Sequence, residues 1–178
     1  MPHLQQYYAF GKYNQLMNEK LYAAALLKMT DEQRRQNMQA FFKSLHGTLE
    51  HILVADLIWL RRLQNLPALK QFLSVELVKF PIITNLNQGL HDDFNALWQD
   101  RQRLDHIINT MMDFLSHEML LEDFCYTNLS GTQICNKLWV FLSHLFNHQT
   151  HHRGQATTLL AQFHIDIGVT DFHSLLML

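Results

Sequence analysis

The chain has 178 residues, 48% of them hydrophobic and 17% charged, with 6 glycines and 3 prolines. This composition excludes a disordered chain and favours a single, mostly helical domain spanning residues 1–178. A net charge of −2 provides no basic face for nucleic acid, and no apolar run reaches the roughly 20 residues that span a bilayer. Cys125 and Cys135 are too few to predict a disulfide scaffold, and residues 1–10 lack a signal-peptide pattern. We therefore expect a soluble cytoplasmic protein.

Two long helices are predicted in the first part of the chain. Apolar residues spaced three and four apart indicate the first, Leu4–Leu27. The segment Thr30–Gln33 has the sequence of a capping box, which opens a short polar helical turn ending near Phe41-Phe42. The second long helix runs from Ser44 to about Gln64, with Ser44 as its candidate N-cap.

The middle of the chain contains a break and a third long helix. Pro67 at its start and Pro81 within it interrupt the helical pattern of residues Pro67–Gly89, so this segment is predicted to be an irregular connection. It has room for one helical turn around Leu69–Leu73. Apolar residues at helical spacing then predict the third long helix, Phe94–Leu115, in which Arg101 is the one polar member of the apolar series.

The last part of the chain is predicted to contain a hairpin and a fourth long helix. Glu122–Gln133 is typical of an extended or hairpin-like excursion with a turn at Ser130-Gly131. The fourth helix runs from about Ile134 to Phe163, and a last short helix, Phe172–Leu176, follows Asp171 as its cap. Four long amphipathic helices predict an all-α fold, a four-helix bundle with short extra helices and an irregular connection between helices two and three.

A stretch rich in histidine, Asn147–Gln155, lies inside the fourth helix. Residues four apart project from the same face of a helix, so His148 and His152 are placed to bind one ion together. Two ligands do not make a site. His51 on helix two supplies a third if the bundle packs helices two and four together. The alternative for His51 is a buried structural histidine, which is the more common role of a lone histidine beside an apolar run.

Three parts of the chain together resemble the DinB family of helical-bundle proteins, nearly from end to end. They are Tyr13-Asn14, the segment Phe41–Asp56 followed by Trp59 and Arg62, and the stretch Asn147–Gln155. The resemblance implies one divalent metal ion bound by three histidines, which by motif are His51, His148 and His152. It also implies a metal-dependent enzyme, either a transferase of low-molecular-weight thiols (or a related isomerase) or a hydrolase, although some members have no known activity.

Three neutral imidazoles leave at least one coordination position open, as in catalytic rather than structural zinc sites. Bound water or a bound thiol is activated at such a position, so the ligands alone do not choose between hydrolysis and thiol transfer. Zinc or nickel is the expected ion, with iron, copper and manganese as alternatives. The expected partners are a small-molecule substrate, such as a low-molecular-weight thiol, and a second copy of the chain, with neither nucleic acid nor membrane. The alternative function is a non-catalytic metal-binding or stress-response bundle with a structural ion.

The sequence leaves the roles of three other residues undecided. His151 is the alternative to His152 as ligand, because it lies about 60° around the helix from His148. His144 is either a residue near the ligands or part of the core. Asp56 either orients an imidazole, pairs with Arg153 or lies on the helix surface.

The homodimer that the resemblance implies is expected to form through exposed apolar residues of helices one and three. Tyr7, Tyr8 and Trp98 are the candidates. The same side chains are equally suited to fill the core of a single chain.

Overall fold

Helices form most of the molecule. The computed structural model describes residues 4–86, 88–128 and 130–175. A short 3-10 turn, Met112–Phe114, takes the place of the predicted last turn of the third long helix. The elements in chain order are α1 (Leu4–Lys28), α2 (Asp31–Arg35), α3 (Leu45–Leu63), α4 (Pro67–Leu77), α5 (Phe94–Met111), α6 (His117–Leu120), β1 (Asp123–Thr127), β2 (Gln133–Lys137), α7 (Leu138–Gln162) and α8 (Phe172–Leu175).

Polar side chains fix where α2 and α3 begin. The Thr30 hydroxyl accepts a hydrogen bond from Gln33 N, and the Gln33 side chain accepts one from Thr30 N, so the predicted capping box is confirmed. Ser44 Oγ accepts from Gly47 N at 3.1 Å, which confirms Ser44 as the N-cap of α3. Each cap satisfies a backbone donor that the first turn of a helix leaves unpaired.

The loop between α2 and α3 differs from the prediction, because α2 ends at Arg35 instead of continuing to Phe41-Phe42. Gln39 and Lys43 have positive φ angles of 58° and 65°, a conformation that a helix does not contain. Met38 N donates to Lys43 O at 2.7 Å, which closes the loop into a tight turn. This turn sets the position of the aromatic side chains that precede α3.

The segment after α3 is predicted as an irregular connection with one helical turn around Leu69–Leu73, and the structure extends that turn to the 11 residues of α4. Pro67 occupies the first turn of α4, where a missing N–H leaves no helical hydrogen bond unmade. Leu69, Leu73 and Leu77 are buried along one face of the helix. That face packs against α3 and α5. Between α4 and α5 the described residues are irregular, as predicted.

Strands β1 and β2 form an antiparallel hairpin, which confirms the predicted excursion. Gly131 in its turn has a φ of 83°, a conformation that glycine adopts without steric cost. The predicted start of the fourth helix at Ile134 is wrong, because Ile134 pairs with Tyr126 in the sheet. The helix begins at Leu138, where pairing in the sheet has ended.

Cys125 and Cys135 lie directly opposite each other in this hairpin and form a disulfide. The sequence predicted no disulfide, because cysteine number alone carries no information about strand register. Disulfides persist in oxidising compartments. The bond therefore does not favour the cytoplasmic location, which stays a prediction.

The four long helices contact each other pairwise, α1 and α3 each packing against both α5 and α7. Apolar side chains such as Leu21, Leu53 and Leu104 are completely buried between them. The molecule is thus mostly helical, with a small two-stranded sheet, and α3 and α7 are direct neighbours. No helix in the described part of the chain is long and apolar enough to cross a membrane. The last helix, α8, begins at Phe172 as predicted, and its predicted end at Leu176 lies outside the described residues.

Candidate metal centre

Helices α3 and α7 bring three histidines to one point. His51 lies near the middle of α3, and His148 and His152 lie one turn apart on α7. One nitrogen from each ring lies within 4.8 Å of the other two. The structure thus brings together the same three residues that the sequence and the family resemblance single out.

The Nε2 atoms of the three rings converge. His148 Nε2 lies 3.4 Å from His51 Nε2 and 3.0 Å from His152 Nε2. Two nitrogens bound at about 2.1 Å to a shared ion lie about 3.0 Å apart at a right angle and about 3.4 Å apart at the tetrahedral angle. These two separations therefore fit an ion that His148 shares with each of the other two rings.

Of the three opposite ring nitrogens, one is hydrogen-bonded as a metal ligand's usually is and two are not. His152 Nδ1 donates to Gln155 Oε1 at 2.8 Å, which leaves the lone pair on Nε2 directed into the cluster. The Nδ1 atoms of His51 and His148 are buried and have no hydrogen-bond partner among the described residues.

Burial keeps the cluster uncharged at neutral pH. It lowers the pKa of His148 to about 3, with repulsion from the neighbouring histidines adding to the effect. It lowers the pKa of His51 to about 4, and His152 contributes in the same direction. The Leu86 backbone opposes this shift, although His51 Nδ1 makes no hydrogen bond of good geometry. The pKa of His152 is also lowered by burial, although the hydrogen bond that it donates to Gln155 acts in the opposite direction. Neutral imidazoles are the form that binds metal ions.

One side of the cluster faces a cavity of about 390 Å³ that opens beside His51. The Phe42 ring stacks on the His51 ring at 3.8 Å between centroids and meets the His152 ring edge-on at 5.4 Å. A cavity of this size holds a small molecule. Its walls are formed by Phe41, Phe42, Lys43, Gly47, Glu50, His51, Val54, Leu86 and Gln88.

Glu50 is the carboxylate on the wall of this cavity. Its Oε1 accepts hydrogen bonds from Leu90 N at 2.7 Å and from His91 N at 2.8 Å. These bonds fix the loop before α5 against α3. Oε1 is therefore committed to a structural role.

The two other histidines of the motif region lie outside the cluster. His151 is exposed, and its ring lies 4.8 Å from the His152 ring. His144 is exposed too, and its ring packs 4.9 Å from Trp59 and 5.7 Å from His148. The geometry therefore favours His152 over His151 as the second histidine from α7.

Asp56 is completely buried, which excludes the helix-surface position, one of its three predicted alternatives. Its Oδ2 lies 2.6 Å from Arg101 Nη1, and among the described residues it makes no hydrogen bond to an imidazole or to Arg153. Arg101 Nη2 also lies 2.9 Å from Asp105 Oδ1, one turn along α5. Arg101, which the sequence presents as a polar residue in an apolar series, is thus neutralised by two buried carboxylates.

Gln149 connects α7 to the buried group formed by Arg101, Asp56 and Asp105. Its Nε2 donates to Asp56 Oδ2, and its Oε1 accepts from Asn18 Nδ2 of α1 at 3.3 Å. Arg153, on the same face of α7, donates to Asn14 Oδ1. The network therefore includes residues of all four long helices and fixes the rotation of α7. The sequence did not reveal this role of Gln149, because Asn18 and Asp56 lie on other helices.

Comparison with known proteins adds one match. The model of the DinB family matches residues 1–173, nearly the whole chain. No curated protein and no solved structure matches the chain.

Proposed function

This chain belongs to the DinB family, and we propose that it binds one divalent metal ion through His51, His148 and His152. The observation that carries the proposal is the convergence of three Nε2 atoms from two helices at separations suited to a shared ion. Zinc or nickel is the expected ion, because imidazole nitrogen suits both. Iron, copper and manganese are the alternatives.

We also propose that α1, α3, α5 and α7 form a four-helix bundle within a single domain spanning residues 1–178. The pairwise contacts of these helices support this arrangement. In such a bundle the metal ligands come from two facing helices, which is the common way in which bundles build metal sites.

The metal site is proposed to be catalytic, with a small molecule such as a low-molecular-weight thiol as substrate. A metal ion with an open position lowers the pKa of a bound thiol or water. His51, His148 and His152 would hold the ion with neutral donors, so its full positive charge would act on the substrate. The cavity beside His51 gives a substrate access, and Phe42 shields the ligand rings from water.

The second candidate is a structural ion that joins α3 to α7. It is favoured by one observation, namely that the ligands come from both helices. Against it, Asp56 and Gln149 already link α3 to α7 without an ion. The two candidates differ in whether an exogenous ligand reaches the metal.

A cobalt-substituted protein tests this difference. On adding a small thiol, we expect the sulfur-to-cobalt charge-transfer absorption that marks a thiol bound at an open position. The experiment uses the Cys125→Ser/Cys135→Ser double variant beside wild type, so that reduction of the disulfide does not supply the signal. A cobalt spectrum that no added thiol alters would reject the open site and leave the structural ion.

We still propose a homodimer, but through fewer of the residues that the sequence predicts for its interface. Tyr7 is buried, so it belongs to the core and not to an interface, whereas Tyr8 is 40% exposed and Trp98 is half-buried. Light scattering is expected to return twice the chain mass of 21.1 kDa. A monomer mass at high concentration would contradict the dimer.

A further inference from the structure

A second cavity, of about 330 Å³, lies near the C-terminal end of α3. It is bounded by the last turns of α3, the segment after α4 and strand β1. None of the three clustered histidines lines it. The lining residues are Ile58, Arg61, Arg62, Asn65, Ile83, Tyr126 and Thr127.

The lining carries two guanidinium groups and no carboxylate. Elsewhere in the described residues, arginines such as Arg34, Arg101 and Arg103 pair with aspartates. Arg61 and Arg62 have no carboxylate partner in that part of the chain. The C-terminus of α3 contributes only about half a negative charge, which does not balance two positive ones. The cavity wall is therefore positively charged, in a chain whose net charge is −2.

Arg61 is held rigidly in this wall. Its Nη2 donates to three carbonyl oxygens, those of Leu77, Phe80 and Pro81, at 3.0 to 3.2 Å. Its Nε is buried without a hydrogen-bond partner among the described residues. Carbonyl groups fix the position of the guanidinium but do not neutralise its charge.

Arg62 contacts aromatic rings instead of carbonyl groups in the part of the chain that the structure describes. Its guanidinium carbon lies 4.5 Å from the centre of the Trp59 ring and 4.2 Å from that of Tyr126. The centroids of these two rings lie 5.3 Å apart and their planes meet at 71°, so the rings form a corner beside the guanidinium, and no hydrogen bond engages its N–H groups in the described residues. A guanidinium held in this way presents parallel N–H donors along its edge, which match the oxygens of a carboxylate or phosphate. Partial burial lowers the pKa of both arginines, a desolvation effect that a bound anion would offset.

We propose that this cavity binds the carboxylate or phosphate group of a small molecule. Arg62 donates the principal hydrogen bonds, and Arg61 adds a second fixed positive charge. Asn65 and Thr127 are neutral polar groups on the wall, and Ile58 contacts the apolar part of the ligand. The site does not depend on the metal centre, since the two share no lining residue or ligand.

The test is a titration of the metal-loaded, full-length protein with inorganic phosphate and, separately, with succinate. Calorimetry measures binding, and tryptophan fluorescence reports on Trp59 beneath Arg62. At least one anion is expected to bind. Arg62→Gln is expected to weaken that binding by at least about tenfold, the loss typical of charge-assisted hydrogen bonds. Arg103→Gln removes the same charge from an exposed side chain and is expected to bind as wild type does.

A second variant keeps the proposal testable if Arg62→Gln disturbs the hairpin. Asn65→Asp places a carboxylate on the cavity wall and is expected to exclude anions while circular dichroism shows an unchanged helix content. His148→Ala is expected to bind the anion normally, which excludes binding at the metal.

Binding of phosphate alone or of succinate alone identifies the ligand class. Failure of both anions to bind wild type would overturn the proposal. So would wild-type affinity in both cavity variants, or a loss of binding in His148→Ala alone.

Discussion

Replacing Arg101 with leucine is expected to lower the free energy of unfolding by about 3–5 kcal/mol, measured by urea denaturation. Arg101 is 1% exposed and lies within ion-pair distance of two carboxylates, Asp56 and Asp105, which are 0% and 2% exposed. Leucine fills much of the same space but leaves both carboxylates without their cation. The loss comes from these unpaired acids more than from the packing of the side chain.

The control for this prediction is Arg103→Leu, which removes an arginine from the same helix. Its side chain is 59% exposed, so its pair with Asp100 is expected to contribute less than about 1 kcal/mol. Equal losses in the two variants would contradict the assigned role of the buried group.

The loss in Arg101→Leu is also expected to depend on pH. Burial raises the pKa of Asp56 to about 7 even beside Arg101, and without the arginine that pKa rises further. An acid with a raised folded-state pKa binds more protons folded than unfolded, so stability falls as pH rises. The free energy of unfolding that Arg101→Leu loses relative to wild type should therefore be larger at pH 8 than at pH 5. Denaturation curves at the two pH values measure it.

Replacing His51 with alanine is expected to remove most of the stabilisation that metal gives to the wild-type protein. An ion that binds only the folded chain stabilises it by about 2.7 kcal/mol when free metal is a hundredfold above its dissociation constant. His148 and His152 lie on one helix and can bind an ion without tertiary structure. His51 makes the site depend on the packing of α3 against α7.

Melting temperatures with and without added metal measure this coupling. His151→Ala is the matched control, because His151 is exposed and lies outside the cluster. His151→Ala should show the same rise in melting temperature on metal addition as wild type. An undiminished rise in His51→Ala would remove His51 from the site.

Features set by neighbouring residues could be predicted from the sequence. The caps at Thr30 and Ser44 are examples, because capping uses side chains and backbone groups within three residues of each other. The helical turn predicted around Leu69–Leu73 lies inside α4, which is longer than the prediction because Pro67 begins the helix instead of interrupting it. A proline in the first turn of a helix is favourable.

Features set by contacts between distant residues could not be derived from local patterns. Cys125 and Cys135 meet only because the hairpin has one particular register. The role of Asp56 stayed open between three alternatives, since a sequence does not show that α5 places Arg101 opposite it. His51 was identified by resemblance to the DinB family, and periodicity alone left it open as a core histidine. Its position beside His148 follows from helix packing.

The metal content of the purified protein tests the proposed site most directly. Elemental analysis of wild type, His148→Ala and the control His144→Ala should be made on protein purified in parallel. His148 lies at the centre of the cluster, with both other Nε2 atoms within 3.4 Å, whereas His144 lies outside it. We predict about one divalent ion per chain in wild type and His144→Ala, and little or none in His148→Ala. Equal metal content in all three proteins would contradict the three-histidine site.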